Sequence, residues 1–279
     1  MLPPISIITP FFNAEEFIER FVLSMKAQTH NDWICIMVDD NSTDNSLAVL
    51  QECILEDQRF IVLTNSLPKT APGPASARNC ALSFVTTPLV AFCDVDDLWH
   101  PTKLERQLTF HQQLELDLSV SAYMRFSDSH PEDISNHPLC PPSHLDLQSL
   151  TKKNSIPMLT VIIKLNILNS GFTQIPHEDY LFWLNLFQSH PTLRYGCIPE
   201  VLAFYRVHRS SITSNKAKMP LWTYRVFRTH GRSRTNSLLL LLFWFLSHAW
   251  DLCSNRSFTI KKIGLKKLQA MPPIKIVQH

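Results

Sequence analysis

A chain of 279 residues that is 45% hydrophobic and 18% charged has the apolar material for one large domain or two small ones, which excludes a wholly disordered protein. Its 5 glycines against 19 prolines, with no internal repeat, exclude collagen-like, solenoid and glycine-rich nucleotide folds. The net charge of +2 hides a division: residues 1–205 carry 12 Lys+Arg against 23 Asp+Glu, a balance of −11, while residues 206–279 carry 14 against the single Asp251, a balance of +13. An acidic body suits cations or polar substrates, and a basic tail suits an anionic surface.

The first hundred residues alternate short β-rich runs with helical stretches, the pattern of a parallel sheet with crossover helices. Ile5 to Thr9 reads as a strand, followed by a helix from about Ala14 to Gln28 with Asn13 as its cap and Phe17, Phe21 and Met25 on one face. Trp33 to Val38 is the second strand, and Leu47, Leu50, Cys53 and Ile54 share one side of the helix after it. Phe60 to Thr64 is the third strand, a helix follows from about Ser76 to Val85, and Leu89 to Cys93 is the fourth strand. Beyond it come a helix from Pro101 to about Leu116, a strand from Ser119 to Phe126, and a proline-rich loop over 127–146. Order resumes with a short helix, an apolar segment from Met158 to Ile163, a helix through Tyr180 to Phe187, and a strand from Leu202 to His208.

The seven cysteines are odd in number, widely spaced and without a CxxC pair, so they read as reduced core residues of a cytosolic protein. The start of the chain has no cationic run before an apolar one, so a secretory leader is not expected. The longest apolar run, Leu238 to Leu246, falls short of the ~20 residues that cross a bilayer.

Carboxylates gather behind the second and fourth strands, where open parallel sheets bind ligands. Asp94-Val95-Asp96-Asp97 sets three carboxylates within four residues, a charge that a hard cation such as Mg²⁺ or Mn²⁺ relieves while bridging to phosphates. An acidic turn capping the next helix is the other reading. Asp39-Asp40 follows its strand in the same way, and either carboxylate suits a base or ribose; a helix cap at Ser42 or Asp44 is again the alternative. Arg78, in the run Pro72-Gly73-Pro74-Ala75-Ser76-Ala77-Arg78-Asn79, brings a cation to a helix start, a phosphate-binding arrangement unless the run is a plain turn.

Taken together, Ile7-Ile8-Thr9-Pro10-Phe11-Phe12-Asn13, Val38-Asp39-Asp40-Asn41-Ser42-Thr43-Asp44, Ala77-Arg78-Asn79, Asp94-Val95-Asp96-Asp97, Gly171-Phe172, His177-Glu178-Asp179-Tyr180 and Tyr205-Arg206-Val207-His208 closely resemble family 2 glycosyltransferases. The resemblance covers residues 5 to about 214. It implies an α/β GT-A fold, a Rossmann-like, mostly parallel sheet with flanking helices, and sugar transfer with inversion from a nucleotide-diphosphate sugar, a UDP-sugar foremost. By the same resemblance Thr9, Pro10, Phe11 and Asn13 line the nucleotide pocket and Asp39 or Asp40 holds the base. Arg206 or His208 meets the diphosphate, with an ordinary basic strand end as the other reading; Asp94 and Asp96 serve ribose and metal, Asp97 is a spare carboxylate for the sugar or for the metal through water, and His208 is a further metal candidate. Asp179 becomes the general base, with Glu178 beside it. The glycines that the family places around Ala-Arg-Asn are reduced to Gly73, with Cys80-Ala81 downstream.

The domain plan is then a catalytic domain over 1–214, its nucleotide half in 1–100 and its acceptor half in 101–214, and a basic helical tail over 215–279. Arg225, Arg228, Arg232 and Arg234 precede the apolar run and Arg256, Lys261, Lys262, Lys266 and Lys267 follow it. Such a segment, 225–267, suits an anionic membrane surface, each cation adding ~1 kcal/mol, whereas packing on the catalytic domain is the competing reading. A glycan or lipid-linked acceptor at the inner face of the cytoplasmic membrane follows, and nucleic acid is not expected. The rival functions are a nucleotidyltransferase, which lacks its glycine- and lysine-rich loop here, and a GT-A-like protein that binds nucleotide or glycan without turnover.

Overall fold

The computed structural model describes residues 1–67, 73–127, 137–168, 170–207 and 218–254, with side chains described through Phe245. His208 and the basic residues from Arg256 onward lie outside them. One eight-stranded sheet in the order β3-β2-β1-β4-β7-β6-β8-β5 runs through the body. Its first half is β1 (Ile5–Phe11), β2 (Trp33–Asp39), β3 (Phe60–Thr64) and β4 (Leu89–Phe92), all parallel. Beyond β4 the direction changes: β7 (Ile162–Lys164) runs antiparallel to β4 and to β6 (Leu118–Phe126). The long β8 (Tyr195–Arg206) is parallel to β6, and β5 (Leu98–Trp99) is antiparallel to β8.

Helices cover both faces because β1, β2 and β4 are apolar on both, as buried parallel strands are. Ile5 and Ile7 face α1 (Glu15–Lys26), α2 (Ser46–Ile54) and α4 (Lys103–Gln113), in one core with Phe21, Leu50 and Leu104. Ile8 points the other way, toward α3 (Ala75–Leu82) and α6 (Glu178–Ser189), in a second core with Phe92, Ala77 and Trp183. The alternation of one strand's side chains thus fills two cores. Tyr180 fastens α6 to α5 (Leu147–Lys152), its hydroxyl donating to the carbonyls of Leu150 and Thr151 at 2.9 and 3.1 Å. The tail begins with α7 (Met219–Thr229) and α8 (Arg234–Ser254). Val226 and Phe227 of α7 are fully buried in the α6 core, so the tail starts as part of the body.

Several sequence expectations shift. Asn13 does not cap α1; it adopts a positive φ of 46° and its Oδ1 accepts the Thr43 N–H at 2.8 Å, tying β1's end to the turn after β2. The fourth helix starts at Lys103, because Pro101 and Thr102 form a turn. The last strand starts seven residues before Leu202, at Tyr195, and β5 was not foreseen. Cys140 is exposed rather than core, with its Sγ 3.5 Å from Cys197 Sγ.

Candidate functional site

The carboxyl ends of β1, β2 and β4 lie side by side, and their turns make one edge of the site. The Asp40 N–H donates to the Phe11 carbonyl at 2.8 Å, and Asp39 Oδ1 accepts the Ser42 N–H at 2.8 Å, which closes the turn. Asp40 Oδ1 accepts from Asn65 Nδ2 at 2.8 Å, and that same amide donates to Ser76 Oγ at 3.0 Å. Both carboxylates are buried and held before any ligand arrives. Thr9, Pro10 and Phe11 are buried too, and the Thr9 hydroxyl turns to Cys35 Sγ at 3.7 Å, into the sheet layer; Asn13 is exposed at the rim.

Behind β4 the acidic run turns sharply, the Asp97 N–H donating to the Asp94 carbonyl at 3.0 Å. The turn sorts its carboxylates: Asp94 and Asp96 are partly exposed, and Asp97 is buried. Asp97 Oδ1 accepts the Arg206 N–H at 2.9 Å, while Arg206 Nε donates to the Asp96 carbonyl at 2.6 Å. Burial, followed by the charges of Asp96 and Asp94, pushes the Asp97 carboxyl well above the usual carboxylate range. Asp97 therefore braces β8 against this turn, and the Arg206 guanidinium lies over Phe126 and Phe17, at 4.5 and 5.1 Å from the ring centres.

Arg78 is the centre of the arrangement. It is almost fully buried, with Nη2 donating to Asp94 Oδ1 and Nη1 to Glu178 Oε1, each at 2.7 Å. One planar cation thus joins the β4 turn to the first turn of α6, and its fork shape fixes both carboxylates. The guanidinium also lies 5.5 Å from the centre of the Phe172 ring. The next residue, Asn79, clamps Phe172 from both sides: Nδ2 donates to the Phe172 carbonyl at 2.8 Å and Oδ1 accepts its N–H at 2.6 Å. A Cβ on Gly171 would come within 2.6 Å of Asn79 Oδ1, so this close approach needs glycine. Gly73, at φ 123°, faces Glu178 Oε2.

Glu178 and Asp179 open α6, where the helix dipole favours acids. His177 precedes them in a left-handed conformation, φ 60°, and its ring packs on Trp222 of α7 with 5.4 Å between centres. Asp179 Oδ2 accepts from Asn154 Nδ2 at 3.0 Å. Burial raises the Glu178 carboxyl to about 7, Asp179 and Asp94 adding to the rise and Arg78 opposing it. Asn65, Asn154 and Trp222 were missed in the sequence: each is an isolated residue brought to the site by contacts 11 to 45 positions away, and no spacing signals such a contact.

Asp94 and Asp96 place carboxylate oxygens on a partly exposed turn, and among the described residues no group of three His, Cys, Asp or Glu could hold a metal by itself. That donor set fits Mg²⁺ or Mn²⁺ held by one or two carboxylates, with substrate phosphate and water completing the shell. It does not fit a closed cage of protein ligands.

The profile of Glycosyl transferase family 2 matches residues 6–174. The Escherichia coli protein named UDP-Glc:alpha-D-GlcNAc-diphosphoundecaprenol beta-1,3-glucosyltransferase WfgD is 32% identical over 219 residues, 77% of this chain and 81% of that one. The crystal structure of S. aureus TarS 1-349 in complex with UDP-GlcNAc superposes with a TM-score of 0.66 at 18% identity, covering 87% of this chain and 71% of that one. The mannosyltransferase PcManGT from Pyrobaculum calidifontis, solved with GDP-Man and Mn2+, gives 0.64 at 14% identity, covering 93% and 77%. These two likenesses show the fold, the GT-A arrangement expected from the sequence. With its motifs in order, the matched profile and a relative of this identity and coverage, the chain belongs to glycosyl transferase family 2.

Proposed function

We propose that this glycosyltransferase moves a sugar, with inversion, from a nucleotide-diphosphate sugar to a glycan on a lipid-linked carrier during cell-envelope polysaccharide assembly. UDP-sugars are the foremost donor class. The observation that carries the reading is the Arg78 bridge: it brings Asp94, of the donor turn, and Glu178, beside the base, onto one guanidinium. The relative's name supplies the acceptor class, and TarS with UDP-GlcNAc supports the donor class.

In this mechanism the β1 and β2 ends, with Thr9, Pro10, Phe11, Asn13 and Asp39 or Asp40, hold the nucleoside. Asp94 and Asp96 would hold a Mg²⁺ or Mn²⁺ ion, which when bound would supply Lewis-acid neutralisation of the diphosphate charge. Asp179 accepts the proton of the acceptor hydroxyl as its oxygen bonds to the anomeric carbon. The bond from that carbon to the phosphate oxygen breaks, and the nucleoside diphosphate leaves with the electron pair. One base and no covalent nucleophile suffice for this single displacement, and a positioned base contributes ~10²- to 10⁴-fold. Asn154 orients Asp179, and Glu178 is engaged by Arg78 rather than free to act as a second base. The enzyme works from the inner face of the cytoplasmic membrane as a peripheral protein.

The test is transfer from a panel of UDP-, GDP-, dTDP- and CMP-sugars to a diphosphate-lipid acceptor, with Mn²⁺, Mg²⁺ or chelator. One nucleotide class should respond, and only with metal. Asp179→Asn should lose about 10²- to 10⁴-fold in kcat while titration calorimetry shows donor binding retained. Turnover unchanged in Asp179→Asn overturns Asp179 as the base, and silence across the panel from folded protein overturns the reading in favour of a binding protein.

A further inference from the structure

From Leu238 to Leu246 helix α8 is apolar around its whole circumference, and among the side chains described, through Phe245, the body covers only one side of it. Ser237 and Trp244 are buried on the side where α8 packs on α5 and α7. Leu238, Leu239, Leu242, Phe243 and Phe245 are 46–59% exposed on the other side. At 3.6 residues per turn these five span an arc of roughly 160° without a polar interruption. Five large apolar side chains in one such arc mark an interaction surface rather than the scattered exposure of an ordinary helix.

The surroundings say what covers it. Arg225 and Arg228 of the neighbouring α7 and Arg234 at the start of α8 are exposed, and neither helix carries an acid before Asp251. A second copy of the chain would bring these cations against each other, whereas an anionic leaflet takes both the apolar arc and the cations. Among the described residues no helix is long and apolar enough to cross a membrane, so α8 is suited to lie along a leaflet.

We propose that the outward face of α8 seats the enzyme on an anionic lipid leaflet, and that its two packing neighbours couple this seat to the base. On one side, α7 carries Trp222, which packs on His177 ahead of Glu178 and Asp179. On the other, Asn154 lies just past α5 and donates to Asp179. A surface bound through α8 thus stands behind both residues that shape the acceptor side. This inference rests on the lipid-linked acceptor reading for its purpose and on α8 alone for its geometry.

The test is co-sedimentation of the full chain with phosphatidylglycerol-containing and with pure phosphatidylcholine vesicles, for wild type and for the double substitution Leu239→Glu, Phe243→Glu. Both positions are exposed, so the fold should stay intact. Wild type should bind the anionic vesicles, less at high salt, and the double variant should bind about tenfold more weakly or not at all. The variant should keep its rate toward a water-soluble short-chain acceptor and lose rate toward the acceptor in vesicles. Wild type left in the supernatant with every vesicle, or a variant that still binds, overturns the proposal. A wild-type dimer that becomes a monomer on substitution overturns it in favour of a contact between copies. Wild type that binds vesicles but glycosylates no lipid-linked acceptor leaves the seat standing and removes the acceptor reading.

Discussion

The two halves of the sheet are held together by different forces. From β3 to β4 the strands are parallel and both cores beneath them are apolar, with Ile5, Ile7, Ile8, Ile36 and Val38 at most 1% exposed. Past the β4–β7 seam, polar groups are buried between α4, β6 and the 3₁₀ turn Met158–Thr160. Gln107 Nε2 donates to the carbonyls of Ser119 and Thr160 at 3.1 and 2.8 Å, and His111 Nδ1 pairs with Ser119 Oγ at 3.0 Å. Lys103, fully buried, lies 4.8 Å from the centre of the Trp99 ring. The strands from β3 to β4 thus rely mainly on non-directional burial, while the half past the seam adds directed bonds in a dry setting, which are intolerant of a lost partner.

The largest effect should come from cutting the tie between the halves. Arg78→Met leaves two carboxylates without their cation and should cost about 3–5 kcal/mol, read from urea unfolding. Adding Glu178→Gln removes one of the stranded charges and should recover part of that loss. A wild-type midpoint in the single variant would show that the bridge carries no energy. The next effect sharpens the contrast in pH. Burial pushes the His111 imidazole down to about 4. Its folded value lies below the unfolded one near 6.5, so its stabilisation is whole above about 6.5 and is lost as pH falls toward 4. Between pH 7 and 4.5 wild type should therefore lose about 2–3 kcal/mol that His111→Gln does not lose. Ile36→Val in the donor half should cost about 0.5–1.5 kcal/mol at either pH. Equal pH profiles for wild type and His111→Gln would erase the distinction. Asn154→Ala should be the mildest, a fewfold fall in kcat with donor KM kept, because only the hold on Asp179 is loosened.

The same division decides what the sequence disclosed. β1 to β4 were legible because each is a short apolar, β-rich run followed by Asn or Asp within three residues, a pattern carried within ten residues. Asp39, Asp40, Asp94 and Asp96 were legible with them, since sheet topology alone puts strand ends together. The acceptor half was read less well. The early start of β8 was hidden by Pro199 and Glu200 inside it, where its register against β6 shifts. Arg78 reads as a phosphate ligand on the strength of a helix start, yet its partners are Asp94, 16 residues on, and Glu178, 100 residues on. Asp97 looks like a third site carboxylate, and only the fold shows its side chain turned inward to Arg206, 109 residues away.

The Arg78 bridge also bears on how such a chain is free to change over generations. Its guanidinium meets two carboxylates at once, so a single substitution at Arg78 strands both of them, whereas loss of either carboxylate still leaves Arg78 one partner. Drift at Arg78 requires a simultaneous answer at Asp94 or Glu178, whereas an exposed residue without a charged partner changes singly. A lineage built on this chain is thus expected to vary its exposed positions long before it varies Arg78.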